Sequence, residues 1–234
     1  MDMMKKTLAD SLVDLGLTLD DPIQDQLCAF GHAMVKQNEV MNLTGITEDD
    51  QVAKLHLIDS LTVLKCADLA GKSLIDVGCG AGFPGVPTAI GCPEAKVTLL
   101  DSLAKRMNWL ETVLPQLGVQ NAECVTARAE EAIVDRRETY DYATSRAVAR
   151  LNILLELTAP YVKVGGAVLA LKGSAAREEL AEAKNAIAQL GLKVEEVRDF
   201  TIDGAVHSVI VLRKVKATPA RFPRRFSKIK QSPL

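Results

Sequence analysis

Aromatic residues are scarce in this chain, at 4% of 234, so its core must be built mainly from Leu, Val, Ala and Ile. Long hydrophobic runs are missing too. No apolar stretch approaches the roughly 20 residues that cross a bilayer, which excludes a membrane-spanning helix. The opening Met1-Asp2-Met3-Met4-Lys5-Lys6 leads into mixed polar and apolar residues rather than a signal-peptide core, and a cytoplasmic location is expected. The five cysteines, Cys28, Cys66, Cys79, Cys92 and Cys124, form no CxxC pair. That argues against a zinc site or a disulfide framework and for small packing residues in a reducing compartment. No metal and no membrane partner are expected.

Acidic residues are absent beyond Asp203, whereas eight of the 28 Lys and Arg residues lie from Arg213 onward. A net charge of −2 thus divides into an acidic body and a basic tail carrying Arg213, Lys214, Lys216, Arg221, Arg224, Arg225, Lys228 and Lys230. Such a tail suits a polyanionic partner or is a solvated, disordered end, and charge alone leaves both open. The remaining composition, 48% apolar and 25% charged, is that of a soluble protein with a sizeable core.

Residues 1–70 read as helical. Leu8, Leu12 and Leu15, then Ile23, Leu27, Phe30 and Met34, recur at spacings of three and four. Asp21-Pro22 reads as an N-cap followed by Pro at the first helical position. From Gly71 the rhythm changes. Strand-like runs at 74–77, 97–100, 122–125, 140–144, 167–171, 193–197 and 208–212 alternate with helical stretches near 86–90, 103–117, 150–159 and 175–190. That alternation predicts an α/β fold with a parallel sheet covered on both faces. The last two runs are joined by 199–207 without a helix, which predicts an antiparallel edge hairpin. The expected organisation is a helical N-terminal extension over 1–70, a core over 71–215 and a basic tail over 216–234.

The most informative segment is Ser73-Leu-Ile-Asp-Val-Gly-Cys-Gly-Ala-Gly-Phe-Pro-Gly85. A strand ending in Asp76-Val77 runs into Gly78, Gly80 and Gly82, and Pro84 then starts a helix. Glycines there let a ligand lie against bare peptide at the crevice of an open α/β sheet. Residues 80–85 formally match GxGxxG, a nicotinamide or flavin signature. The register is wrong for it, because the strand ends two residues earlier and Pro84 removes one of the N–H groups a pyrophosphate needs. Asp76 is a like charge to a diphosphate, yet suits the ammonium of a methionine moiety. Asp-x-Gly-x-Gly-x-Gly therefore favours S-adenosylmethionine as the cofactor. Asp101, at the end of the second strand, fits the ribose hydroxyls or merely caps the following helix. Ala129 and Glu130 follow the third strand, where a backbone N–H would meet adenine or simply begin a helix.

These residues resemble the bacterial ribosomal RNA small subunit methyltransferase G family, also called glucose-inhibited division protein B. The resemblance is carried by Asn42-Leu-Thr44, His56-Leu-Ile-Asp-Ser-Leu61, residues 75–85, Leu100-Asp-Ser-Leu-Ala-Lys-Arg106, Arg128-Ala-Glu130 and Ser145-Arg-Ala-Val-Ala149. Thr218-Pro-Ala-Arg-Phe-Pro-Arg-Arg225 and Ser232-Pro-Leu234 extend it to nearly the whole chain. It implies a Rossmann-like class I S-adenosylmethionine-dependent methyltransferase with a mostly parallel seven-stranded sheet and an antiparallel last strand. The implied reaction is methylation of guanine N7 in 16S ribosomal RNA, at guanine 527 in the decoding-region loop, on RNA or a small-subunit particle; a monomer is expected, although the sequence itself is silent on oligomeric state. By the same resemblance Gly78, Phe83, Ala129, Glu130 and Arg146 contact the cofactor and Asp101 its ribose. Two departures are visible: Cys79 stands where Ser or Thr is frequent, and Phe226-Ser-Lys-Ile-Lys replaces the Gly-Thr-Pro that often follows the Pro-Arg pair.

Attack by guanine N7 uses a free lone pair on the base edge and removes no proton, so no general base is expected. This agrees with the absence of any evident His/Cys/Asp catalytic set. Arg146 is read as a positioning residue, with an ion pair to Asp141 or Glu130 as the alternative. His56 and His207 read as packing or capping residues. Lys105, Arg106 and Lys172 are candidate RNA phosphate contacts, as are Arg221, Arg224 and Arg225 of the tail.

Overall fold

A computed structural model describes residues 2–234. Seven strands, β1 Ser73–Val77, β2 Lys96–Asp101, β3 Ala122–Thr126, β4 Tyr140–Arg146, β5 Val162–Lys172, β6 Leu192–Ile202 and β7 Ala205–Lys214, form one sheet in the order β3-β2-β1-β4-β5-β7-β6. All neighbours are parallel except β7, which is antiparallel to both β5 and β6. The chain moves outward from β1 to β2 and β3, then returns to place β4 on the other side of β1. The crevice at the carboxyl ends of β1 and β4 is therefore the switch point, where ligands of open α/β sheets bind.

Strand alternation divides the apolar side chains between two faces. Leu74, Leu99, Leu169 and Val211 join one cluster, and Ile75, Leu100, Val168 and Ile210 the other. The first face is covered by helices Gly85–Gly91 and Ala104–Gln116 together with the N-terminal helices α1 Met3–Leu15 and α2 Asp21–Met41. Leu8, Phe30 and Met34 lie fully buried in the same cluster as Leu74. Helix α2 begins one residue earlier than the sequence suggests, with Asp20 at the N-cap. The second face is covered by Leu151–Thr158, Ala176–Glu182 and Lys184–Gln189.

The β6–β7 hairpin is longer than its apolar runs predict. Residues 199–202 and 205–207 extend the two strands, leaving only Asp203-Gly204 as the turn, both with positive φ (49° and 75°). Asp-Gly is a favoured pair for two-residue hairpins. The polar residues around it belong to strands because β6 is the sheet edge, where side chains meet solvent.

The tail is ordered. Phe222 and Ile229 are buried on the second face, and Thr218 Oγ1 donates to Leu190 O at 2.9 Å. Arg224 donates from Nε and Nη2 to the two carboxylate oxygens of fully buried Glu156 at 2.8 and 2.6 Å. The expected RNA contact at Arg224 is corrected accordingly, because its charge is consumed by a carboxylate the sheet has taken out of water. Arg224→Ala should cost about 3–5 kcal/mol, since it leaves Glu156 buried and unpaired. Arg225→Ala, at an exposed residue without a side-chain partner among the described residues, should stay within about 0.5 kcal/mol. Urea unfolding of both variants checks this.

Candidate functional site

Four successive turns converge at the switch point. Residues 77–81 after β1, 100–103 after β2, 127–130 after β3 and 146–148 after β4 line a cavity of about 620 Å³, within the range of small-molecule sites. The β1 turn is stitched to β2: Gly78 and Cys79 N–H donate to Leu100 O at 2.7 and 3.1 Å. Gly80 N–H donates to Asp101 Oδ2 at 2.9 Å. Asp101 Oδ1 accepts Leu103 N–H at 2.9 Å, which closes the turn before helix Ala104–Gln116 without capping it, and the residue faces the cavity. A carboxylate has about four acceptor positions, and those that remain suit a pair of hydroxyls.

The donor set fits an adenosyl ligand. Gly78 has φ +76°, and a Cβ there would meet Val148 Cγ2 at 2.5 Å, so the backbone must stay bare to seat Val148, which leaves open peptide at the cavity. Phe83, Ala129 and Glu130 also line the cavity. Glu130 Oε1 accepts Phe226 N–H at 3.3 Å, which brings the tail to the rim, with Phe226 as part of the wall.

Two residues expected at the ligand face elsewhere. Gly82 does not line the cavity; a Cβ there would meet Val86 Cγ2 at 2.7 Å and both Leu110 and Phe30 at 3.1 Å. Its bareness serves helix packing. Asp76 is fully buried and also outside the lining. Its Oδ2 accepts Gly85 N–H at 2.7 Å and its Oδ1 has no partner. Burial pushes its pKa up to about 7 despite that bond. A direct contact with the ligand's ammonium is thus corrected: residue 76 alternates with Ile75 and Val77 and points beneath helix Gly85–Gly91.

Arg146 ends β4, and a widened helical turn, Ala53–Ile58, meets it. Such π-type turns recur at functional sites. Arg146 Nη1 donates to Leu55 O at 2.9 Å and to Asp59 Oδ2 at 2.7 Å; its Nη2 approaches His56 Nδ1 at 3.1 Å. Neither Asp141 nor Glu130 is its partner. Because Arg can only donate, His56 Nδ1 must accept, which fixes the neutral tautomer protonated at Nε2. That nitrogen lies 2.8 Å from Thr44 Oγ1. The imidazole stacks on Phe83 at 4.7 Å with 17° between planes, and Arg146 lies over the same ring at 5.1 Å. His207 Nδ1 meets Asp59 Oδ1 at 2.8 Å.

His56, Asp59, His207 and Phe226 are thus site or rim residues that the sequence did not single out as such. The one available signal was His56-x-x-Asp59, three apart and so on one helical face. Lys172 is a further correction. Its Nζ lies 2.8 Å from Glu179 Oε2 and donates to Ala149 O at 2.6 Å, with the side chain 8% exposed, so it is neutralised rather than offered to phosphate. Lys105 and Arg106 have no side-chain partner among the described residues, and Arg106 lines the cavity. Arg221, exposed, donates to Gln189 Oε1 at 3.1 Å and lies over the Phe222 ring at 4.9 Å.

The strand order, the glycine turn at the switch point and this cavity define a Rossmann-like fold of the class I S-adenosylmethionine-dependent methyltransferases. Solved structures share it. M. jannaschii TYW2 in complex with AdoMet aligns with a TM-score of 0.56 at 14% identity over 68% of this chain and 76% of that one. A SAM dependent methyltransferase from Aquifex aeolicus aligns at 0.55 and 18% identity over 78% and 97%. The chain is 42% identical over 226 residues to Ribosomal RNA small subunit methyltransferase G of Alkaliphilus metalliredigens, covering 94% of this chain and 95% of the relative. The family described as rRNA small subunit methyltransferase G matches residues 23–207. The chain belongs to that family.

The two site histidines titrate in opposite directions. The hydrogen bond to Asp59 raises the pKa of His207. Burial, then the charge of Arg146, lowers that of His56 to about 4. Burial alone would raise the Asp59 pKa, but His207 and Arg146 hold it below the carboxylate range. By linkage, the His207 contribution to stability is complete below pH 6.5 and fades as pH rises through its folded value. The His56 contribution is complete above 6.5 and fades as pH falls toward 4. NMR titration should resolve one ring with a midpoint above 6.5 that collapses toward it in Asp59→Asn, and another still neutral at pH 5.5.

Proposed function

We propose that the chain transfers a methyl group from S-adenosylmethionine to guanine N7 of 16S ribosomal RNA, at guanine 527 according to the family resemblance. The observation carrying this reading is the cavity at the β1/β4 switch point, where bare Gly78 and the Asp101 carboxylate meet, in a chain of the rRNA small subunit methyltransferase G family.

Gly78 and Gly80 would hold the cofactor's methionine side, Asp101 its ribose and the backbone of Ala129 and Glu130 its adenine. Bound there, the cofactor supplies an electrophilic methyl on a sulfonium. The chain's own residues orient and shield. Orientation of this kind is worth about 7–11 kcal/mol over dilute reactants, and N7 gives up no proton, so no base is needed. The acceptor becomes a cation on reaction, and the neighbouring charges are arranged for that. Arg146 is neutralised by Asp59, Lys172 by Glu179, and His56 is held neutral.

Lys105, Arg106, Arg221 and Arg225 supply the phosphate contacts. Arg106 lines the cavity and the others lie on the surface away from its lining, as ordinary salt-sensitive cations, and the partner is 16S RNA or a small-subunit particle. Among the described residues no helix is long and apolar enough to cross a membrane.

Incubation with labelled S-adenosylmethionine and unmodified 30S particles or naked 16S RNA, followed by borohydride reduction and aniline cleavage, should yield one cut, at guanine 527. Label on another atom or base would overturn the reading. Asp101→Ala should weaken cofactor binding by about 10- to 100-fold, the worth of hydrogen bonds to a charged group, as read by calorimetry.

A further inference from the structure

A second cavity, of about 720 Å³, adjoins the first at the carboxyl ends of β4, β5 and the start of β7. The two share His56, Arg146, Ala147 and Val148. Ala147 has φ +56°, a strained conformation for a residue with a Cβ and one that clusters at functional sites. That strained turn is the partition between the two spaces, and a group held in the second cavity with one edge at residues 146–148 faces the first.

The polar lining of the second cavity is nearly spent on itself. Asp59 gives Oδ2 to Arg146 and Oδ1 to His207. Lys172 is consumed by Glu179 and Ala149 O, and Arg150 by Glu178 and Glu182. Two groups keep free capacity: His207, whose ring is bonded only through Nδ1, and Glu179. The Oε2 of Glu179 takes both Leu151 N–H, at 2.7 Å, and Lys172 Nζ, at 2.8 Å. Its Oε1 has no protein partner among the described residues and is not sealed from solvent. The carboxylate is therefore held at one end by two donors while its other oxygen faces the cavity. It is bonded to residues 149–151 through Lys172 and Leu151, beyond the partition as seen from the cofactor.

Resting on the proposed function, the geometry points to Glu179 as the residue that selects guanine, by accepting at its free Oε1 both the N1–H and the 2-amino N–H of a base flipped into the second cavity. Among the four RNA bases only guanine places two N–H donors side by side on its Watson–Crick edge. Adenine and cytosine put a lone pair beside their amino group, and uracil flanks its one N–H with two carbonyls, so a carboxylate repels part of each edge. Enzymes acting on a base in a folded RNA read an extruded base at that edge. Anchoring the N1 and 2-amino edge at Glu179 leaves N7, on the other edge of the purine, free to turn toward the partition.

The test uses the full chain with small-subunit particles carrying either guanosine or inosine at the methylated position. Inosine keeps N7, N1–H and O6 and lacks only the 2-amino group. Wild type should prefer guanosine in kcat/KM by about 10- to 100-fold, the worth of one hydrogen bond to a charged group. Glu179→Gln keeps an oxygen for Lys172 and Leu151 but offers N–H groups to the cavity. It should lose activity on guanosine and bring the two substrates within about twofold, with calorimetric affinity for S-adenosylmethionine unchanged. Equal rates on both substrates for wild type, a measurement independent of how the variant folds, would overturn the assignment, as would a variant that keeps the full preference. Absence of any N7 methyl on the guanosine particles would instead defeat the reading of the reaction itself.

Discussion

The contact between Arg146 and Asp59 organises this molecule. It joins the end of β4 to the N-terminal helical segment across 87 residues of chain, and it sets the state of everything around it. Both side chains are largely shielded, at 16% and 9% exposure, so the pair is sustained by additional donors and acceptors rather than by Coulomb attraction alone. Leu55 O and His56 Nδ1 each take a further N–H of the guanidinium, and His207 takes the second oxygen of Asp59. The N-terminal segment is thereby a wall of the site, in addition to being a cover for one face of the sheet.

From this pair follows the charge balance of the site. The product of the proposed N7 methylation is a cation, disfavoured beside uncompensated positive charge, yet an RNA enzyme needs cations nearby. The chain separates the two requirements. Arg146, Lys172 and Arg224 are each matched to a carboxylate inside the fold, whereas Lys105, Arg106 and Arg225 stand at the rim or outside it without such partners. The neutral imidazole of His56, stacked on Phe83, continues the same design by presenting a π surface where a protonated ring would repel.

The sequence made the strands and covering helices legible because alternating and helical apolar spacing is local information. The glycine turn was legible because its function depends on missing side chains. Asp76 was misassigned although the strand period contained the answer: with Ile75 and Val77 on one face, residue 76 belongs to the other, under Gly85. The Asp203-Gly204 turn was hidden by the polar residues of an edge strand. Lys172 and Arg224 show a deeper limit. A cation in a sequence advertises charge, but whether that charge reaches solvent depends on a partner distant in sequence, Glu156 in the case of Arg224. Asp59 escaped notice for the same reason, since its partners Arg146 and His207 lie far along the chain.

The central claim is that the crevice between β1 and β4 holds the adenosyl group, with the Arg146–Asp59 pair as its fixed wall. A crystal structure of the chain with S-adenosylhomocysteine tests this most directly. It should show the ribose hydroxyls on Asp101, adenine beside Ala129 and Glu130, and Arg146 still bonded to Asp59. An adenosyl group seated elsewhere, or an Arg146 that leaves Asp59 to meet it, would contradict the account.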